Sequence, residues 1–236
     1  MGRQYGCGRV GLTVSRLTFD CIDAHAEPYA AAPTLTFRLR ITETTGAAIH
    51  AIALRCQIRI EPARRRYSPD EAERLSDLFG DVSRWADTLK PVQFTMAATT
   101  VPGFSGAVEV DLPVPCTYDL EIAATRYFYA LQDDAAPLLL LFSGTIFGKN
   151  DSGGLAVEQV PWSAECTYRL PVPVWREMVD RYFPGSAWLR LDRDIIDALG
   201  RYKSREALPT WSAAIETLLA TQDDRATQDD RAEEPA

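Results

Sequence analysis

The chain has 236 residues, 46% hydrophobic and 25% charged, with a net charge of −8. That length allows one large domain or two small ones, burying roughly 70% of the unfolded surface without a disulfide or metal staple. The negative balance offers phosphate no electrostatic attraction, so nucleic acid and anionic membrane are not expected partners.

Residues 1–9 are rich in Gly and Arg and read as a flexible amino terminus. Gly6-Cys7-Gly8-Arg9-Val10-Gly11 matches the dinucleotide fingerprint G-x-G-x-x-G, with Glu27 beyond it. That mechanism needs a strand before the glycines and a helix after them. Here a strand pattern follows, so the match carries no site. Val10, Leu12 and Val14 alternate, then Leu17, Phe19 and Cys21 on the opposite parity, which predicts a bulge or bend around Ser15–Arg16. Asp20, Cys21, Asp23, His25 and Glu27 crowd metal-ligand types into one short stretch, yet short polar clusters mark solvated turns. His25-Ala26-Glu27 has the H-x-E of zinc deaminases, but Pro115-Cys116 lacks the second cysteine of P-C-x-x-C.

The strongest signal comes next. Leu35, Phe37, Leu39 and Ile41 interleave with polar residues, and so do Ile52, Leu54, Cys56, Ile58 and Ile60. Period-two alternation places the apolar side chains on one sheet face and the polar ones on the other. Glu43-Thr44-Thr45-Gly46 between the two runs reads as a hairpin turn. After Pro62 the period changes. Ser68, Pro69 and Glu71 form a helix-start signature, Leu75, Leu78 and Phe79 follow at helical spacing, and Gly80 stops the helix, predicting it over 69–79. Arg64, Arg65 and Arg66 precede it; they would grip an acidic partner or a phosphate, or simply form a solvated loop.

Strands resume around Val92–Ala98 and Val108–Val114, then over 117–131 and 137–147. Tyr127, Phe128 and Tyr129 place aromatics on both faces of the expected 117–131 strand. That makes them a candidate partner patch, or a surface covered by later helices. Glu109, Asp111, Asp119 and Glu121 fall on polar phases, where a solvated sheet face competes with acid–base pairing. A turn at Gly153-Gly154 leads to Trp162, Ala164, Cys166, Tyr168 and Leu170 in alternation.

Beyond Pro171 the spacing is helical. Trp175, Met178, Val179, Tyr182 and Phe183 form one stripe. Ile195, Ile196, Leu199 and Tyr202 are expected inward on a second helix capped by Asp192. Thr210 caps a third carrying Trp211, Ala214, Ile215, Leu218 and Leu219. The hexapeptide ATQDDR occurs at 220–225 and again at 226–231, and the acidic segment 220–236 is expected to be disordered.

These elements predict a mainly β (α+β) protein. It is a two-sheet antiparallel β-sandwich over 10–172 with one inserted short helix, a cap of about three helices over 173–219, and the acidic tail. The five cysteines are odd in number with no C-x-x-C pair, so neither a disulfide framework nor a zinc knuckle is expected. No secretory signal opens the chain, Gly6 stands where myristoylation requires Ser or Thr, and the apolar run Leu138–Phe142 is too short to span a membrane. A cytoplasmic protein is expected. His25 and His50 are the only histidines and no G-x-S-x-G elbow frames Ser105, so no catalytic residue, metal or cofactor is assigned.

Pro171-Val172-Pro173-Val174-Trp175-Arg176-Glu177-Met178, then Tyr182-Phe183-Pro184-Gly185-Ser186-Ala187-Trp188 and Arg201-Tyr202-Lys203, resembles an actinobacterial domain family of unknown function encoded among nickel–iron hydrogenase genes. The resemblance covers all but the chain's ends and transfers no site residue. It implies a non-catalytic accessory or interaction protein serving assembly or stability of such a hydrogenase, with hydrogenase subunits or maturation factors as partners. The alternative is a small-molecule-binding or enzymatic β-sandwich with its cleft between sheet and carboxy-terminal helices.

Overall fold

In the computed structural model, which describes residues 16–116, 122–132, 134–150, 153–185 and 191–232, the alternating runs become eight strands. They are β1 (Leu17–Ala26), β2 (Thr34–Glu43), β3 (Ile49–Ile60), β4 (Val92–Phe104), β5 (Ala107–Pro115), β6 (Ala135–Lys149), β7 (Leu155–Gln159) and β8 (Glu165–Pro171). One antiparallel sheet has the order β1-β2-β5. The second has the order β4-β3-β6, with β7 and β8 both lying along the far side of β6. The chain is thus an α+β sandwich, and two compact units divide after Gly185. The expected amino-terminal segment 1–9 and the Val10–Val14 strand lie outside the described residues.

Between the sheets, Phe37, Leu39 and Ile41 of β2 and Ile52, Leu54, Cys56 and Ile58 of β3 are all buried, as the alternation requires. Phe19 of β1 stacks on Phe142 of β6 with ring centroids 4.4 Å apart. The expected hairpin between β2 and β3 does not form, because the two strands belong to different sheets. Buried Glu43 turns the chain across. Its carboxylate accepts hydrogen bonds from the Thr45 and Ala47 amides, the Arg16 amide and the Thr45 hydroxyl.

The segment joining β3 to β4 is helical. Ser68 accepts from the Glu71 amide and the Glu71 carboxylate accepts from the Ser68 amide, the reciprocal cap read in the sequence. The single helix expected over 69–79 is split at Leu75 into α1 (Pro69–Arg74) and α2 (Ser76–Phe79), followed by α3 (Trp85–Thr88).

A larger correction concerns 117–131. It is no strand where described: α4 spans Ile122–Ala130. Ala124, Tyr127, Phe128 and Leu131 are all buried, and their 3–4 spacing is a helix stripe. Three consecutive aromatics suggest a two-faced strand only when read without their neighbours. Phe128 stacks on Trp175 at 4.5 Å, and Phe94 of β4 meets both rings. Trp175 belongs to α5 (Val172–Tyr182), which also buries Val172 and Met178. At its far end the Tyr182 hydroxyl donates to the Ala30 carbonyl at 2.6 Å, fixing the β1–β2 loop.

The second unit contains α6 (Arg193–Arg205) and α7 (Trp211–Ala232). The Lys203 ammonium lies 5.8 Å from the Trp211 ring centroid. Ile195, Ile196, Trp211, Ile215, Leu218 and Leu219, expected inward, are exposed, and Ala214 is the fully buried apolar side chain of this unit among the described residues. The backbone of α7 continues through the ATQDDR repeat, where disorder was expected over 220–236. Ala, Gln and Arg favour a helix once one is nucleated upstream.

Candidate functional site

The arginine run does not act as one patch. Arg64 and Arg66 are exposed, but the Arg65 side chain is only 5% exposed and sits 2.9 Å from the Glu71 carboxylate. That carboxylate also accepts from the Gln132 amide at 2.9 Å, tying α1 to the chain just past α4. Burial by itself would raise the Glu71 pKa; hydrogen bonds from Arg65, Gln132 and Ser68 outweigh it and hold the group below its ordinary value. The Arg65 guanidinium lies over the Tyr67 ring, and the Tyr67 hydroxyl donates to the Pro62 carbonyl. With that proton committed, Tyr127 is the donor in the 2.9 Å Tyr127–Tyr67 bond. Tyr127 and Phe128 are therefore core, and of the three expected surface aromatics only Tyr129 is exposed. Arg65 is buried and fastens the helical insert through Glu71.

The cluster expected as a solvated turn is strand instead: Asp20, Cys21, Asp23 and His25 lie within β1, paired to β2, and only Glu27 follows it. His25 Nδ1 lies 3.6 Å from an Asp23 carboxylate oxygen, and among the described residues no three His, Cys, Asp or Glu side chains converge on a metal position. Cys21, Cys56, Cys116 and Cys166 are free thiols. Burial pushes the Cys21 and Cys116 thiols up to about 12 and Cys166 to about 11, and Cys56 is raised as well. The thiolate is the reactive form, so these thiols are poor nucleophiles at neutral pH. At pH 8, iodoacetamide is expected to alkylate the four slowly in folded protein and fully in guanidinium, as read by peptide mass spectrometry. Rapid native labelling of any of them would refute this.

The two outward sheet faces differ in kind. On the first sheet, Arg38 meets Asp111 at 2.9 Å and Arg40 meets Glu109 at 2.6 Å across β2 and β5. Those acids serve a self-neutralised wet face, and Asp119 and Glu121 lie outside the described residues. On the second sheet the register brings Ala51 and Ala53 of β3 beside Ala98–Pro102 of β4 and Phe147 of β6, with Val157 of β7 next to Phe147. Met96 is 68% exposed, Leu155 71% and Val157 52%, and Trp162 in the β7–β8 turn is 96% exposed. The outward charges of β3, β4, β6 and β7 are Arg55, Arg59 and Lys149, and β8 adds Glu165, opposite Leu141, and Arg169 on the same face. An open depression of about 230 Å³ lies on this face between Ala53, Leu54, Arg55, Ala98, Thr99 and Thr100. It falls short of the roughly 300–1,000 Å³ of small-molecule sites and suits a single inserted side chain. Met96 on β4 and Leu155 with Val157 on β7 are exposed large apolar groups of this outward face. The alternation signal reveals that such a face exists, but only strand order collects its residues.

A family model described as a family of unknown function (DUF6084) matches residues 14–227. No curated protein matches the chain. Similar solved structures include a β-glucosidase from Kluyveromyces marxianus, at 9% identity over 67% of this chain and 15% of that one, with a TM-score of 0.26. Another is β-glucosidase 3B from Thermotoga neapolitana in complex with α-D-glucose, at 15% identity over 67% and 17% of the two chains and a TM-score of 0.24. A third, the Bordetella pertussis ApaA protein, shares 13% identity over 66% of this chain and 95% of that one, with a TM-score of 0.24. The chain spans less than two thirds of either β-glucosidase's length, and likeness at these scores carries no argument. No described helix is long and apolar enough to cross a membrane.

Proposed function

We propose a function for this chain, which belongs to the family of unknown function DUF6084, as a non-catalytic accessory protein that holds another protein. The observation that carries this reading is the outward face of the second sheet. Met96, Leu155 and Val157 stay exposed there and Trp162 is exposed in the β7–β8 turn, while the first sheet pairs its own charges. Aromatic and large apolar side chains left on a surface gain most when a partner removes them from water, at roughly 25 cal/mol per Å² buried. The resemblance to a family encoded among nickel–iron hydrogenase genes supplies the first partner to test, a hydrogenase subunit or maturation factor in the cytoplasm.

The test is a tagged capture from the native host grown while hydrogenase genes are expressed. The expected result is near-stoichiometric co-purification of hydrogenase components. Val157→Asp with Leu155→Asp should cut that capture at least tenfold while leaving the thermal midpoint unchanged. A wild-type chain that comes out alone under those conditions would sink the accessory reading.

A further inference from the structure

Resting on that reading, we propose that the outward face of the second sheet docks an acidic, apolar segment of the partner protein, with Arg55 and Arg59 selecting its carboxylates. The charge balance points this way. Both arginines of the first sheet's face have a carboxylate across the ladder. Arg55 and Arg59 have no ion-pair partner among the described residues, although Arg55 is exposed and Arg59 half-buried. Their neighbours in register are uncharged: Ala98 and Ser143 flank Arg55, and Gln93 and Leu139 flank Arg59. Glu61 lies just past the end of β3 and Glu165 at the start of β8, and neither pairs with them.

Two guanidinium groups without an acid beside them in register, one bordering an open depression, ask for a matching surface. An apolar side chain of the partner fills the depression between Ala53 and Ala98 while a neighbouring carboxylate takes the Arg55 fork. Four residues along β3, at about 3.3 Å each, separate the arginines, so the second carboxylate sits about 13 Å further along. A basic segment, or one without charge, would leave both guanidinium groups unpaired against an apolar contact, which costs free energy. The arrangement thereby discriminates among partners as well as attracting one.

The experiment places the photo-crosslinker benzoylphenylalanine at Met96 in the full-length chain, expressed in the native host and irradiated. The expected result is one protein adduct whose crosslinked peptide is net acidic. Arg55→Glu with Arg59→Glu should lower its yield at least tenfold, and Arg55→Lys with Arg59→Lys should retain most of it. If charge reversal lowers the thermal midpoint, Arg55→Gln with Arg59→Gln replaces it, with the same loss expected. An adduct insensitive to these changes, a basic crosslinked peptide, or an adduct to a second copy of this chain overturns the proposal. Adducts from a crosslinker at Tyr29 or Ile196 but none at Met96 would overturn it while leaving the accessory reading intact. No adduct from any of the three positions would remove both.

Discussion

Glu71→Ala is expected to destabilise the protein by about 3 kcal/mol, because it takes the nearest carboxylate from a buried guanidinium and leaves it Asp134 at 3.9 Å. Arg65 and Glu71 are each almost fully buried and 2.9 Å apart. The remaining lone pairs of Glu71 take the Ser68 and Gln132 amides, so one side chain satisfies the start of α1 and the chain beyond α4 at once. Removing it leaves those two amides without their acceptor and Arg65 without its nearest carboxylate. Glu71→Gln, which keeps the shape and an acceptor oxygen, should cost less. Urea denaturation of the three proteins checks the order, and a Glu71→Ala variant as stable as wild type would refute the account.

The same carboxylate gives the protein an acid limit. Glu71 and Glu43 both have folded pKa values below the ordinary one; in each, burial pushes upward and hydrogen bonds to the charged form prevail. The unfolded chain therefore binds the proton more readily. The stabilisation is complete above the ordinary glutamate value of roughly 4.3 and is lost as pH falls through the lower folded values. The urea midpoint should hold from neutral pH down to that window and drop within it, and the drop should be shallower in Glu71→Gln.

Gly144→Val should cost about 3 kcal/mol or more and leave little folded protein. Gly144 sits in the middle of β6 with φ +145°, and a Cβ there would collide with the Ala53 carbonyl oxygen of β3. The obstacle is the backbone of a central strand, which cannot yield without opening the β3–β6 ladder. Gly148, four residues along the same strand, is the control. A Cβ there would meet only the Ala48 carbonyl oxygen at 3.7 Å, so Gly148→Ala should stay within about 1 kcal/mol of wild type. Equal effects at the two positions would show that strand propensity, and not this close approach, sets the cost. Soluble yield and thermal midpoints decide.

Much of the architecture was legible in the residues themselves. Alternation identified β2 and β3 and the side of each that would be buried, and Ser68 with Glu71 announced the start of α1. Periodicity failed where two periods share a stretch: the aromatics at 127–129 fit a two-faced strand until Ala124 and Leu131 are counted with them. The arginine run misled for a related reason. A run of like charges says nothing about which member has a buried carboxylate six residues on, and Arg65 does.

The residues alone carried β2 and β3 with their buried sides, the helix cap and the mainly β class, but not α4. Each of these is a local property, written in spacings of two to four residues. The tertiary structure alone decided that Glu43 sends the chain across to the other sheet and that Arg38 finds Asp111, 73 positions away. It alone left Arg55 and Arg59 with no acid beside either in register. Alternation tells a residue which side to face, but not which strand will lie beside it, and charge pairing across a sheet depends on that neighbour.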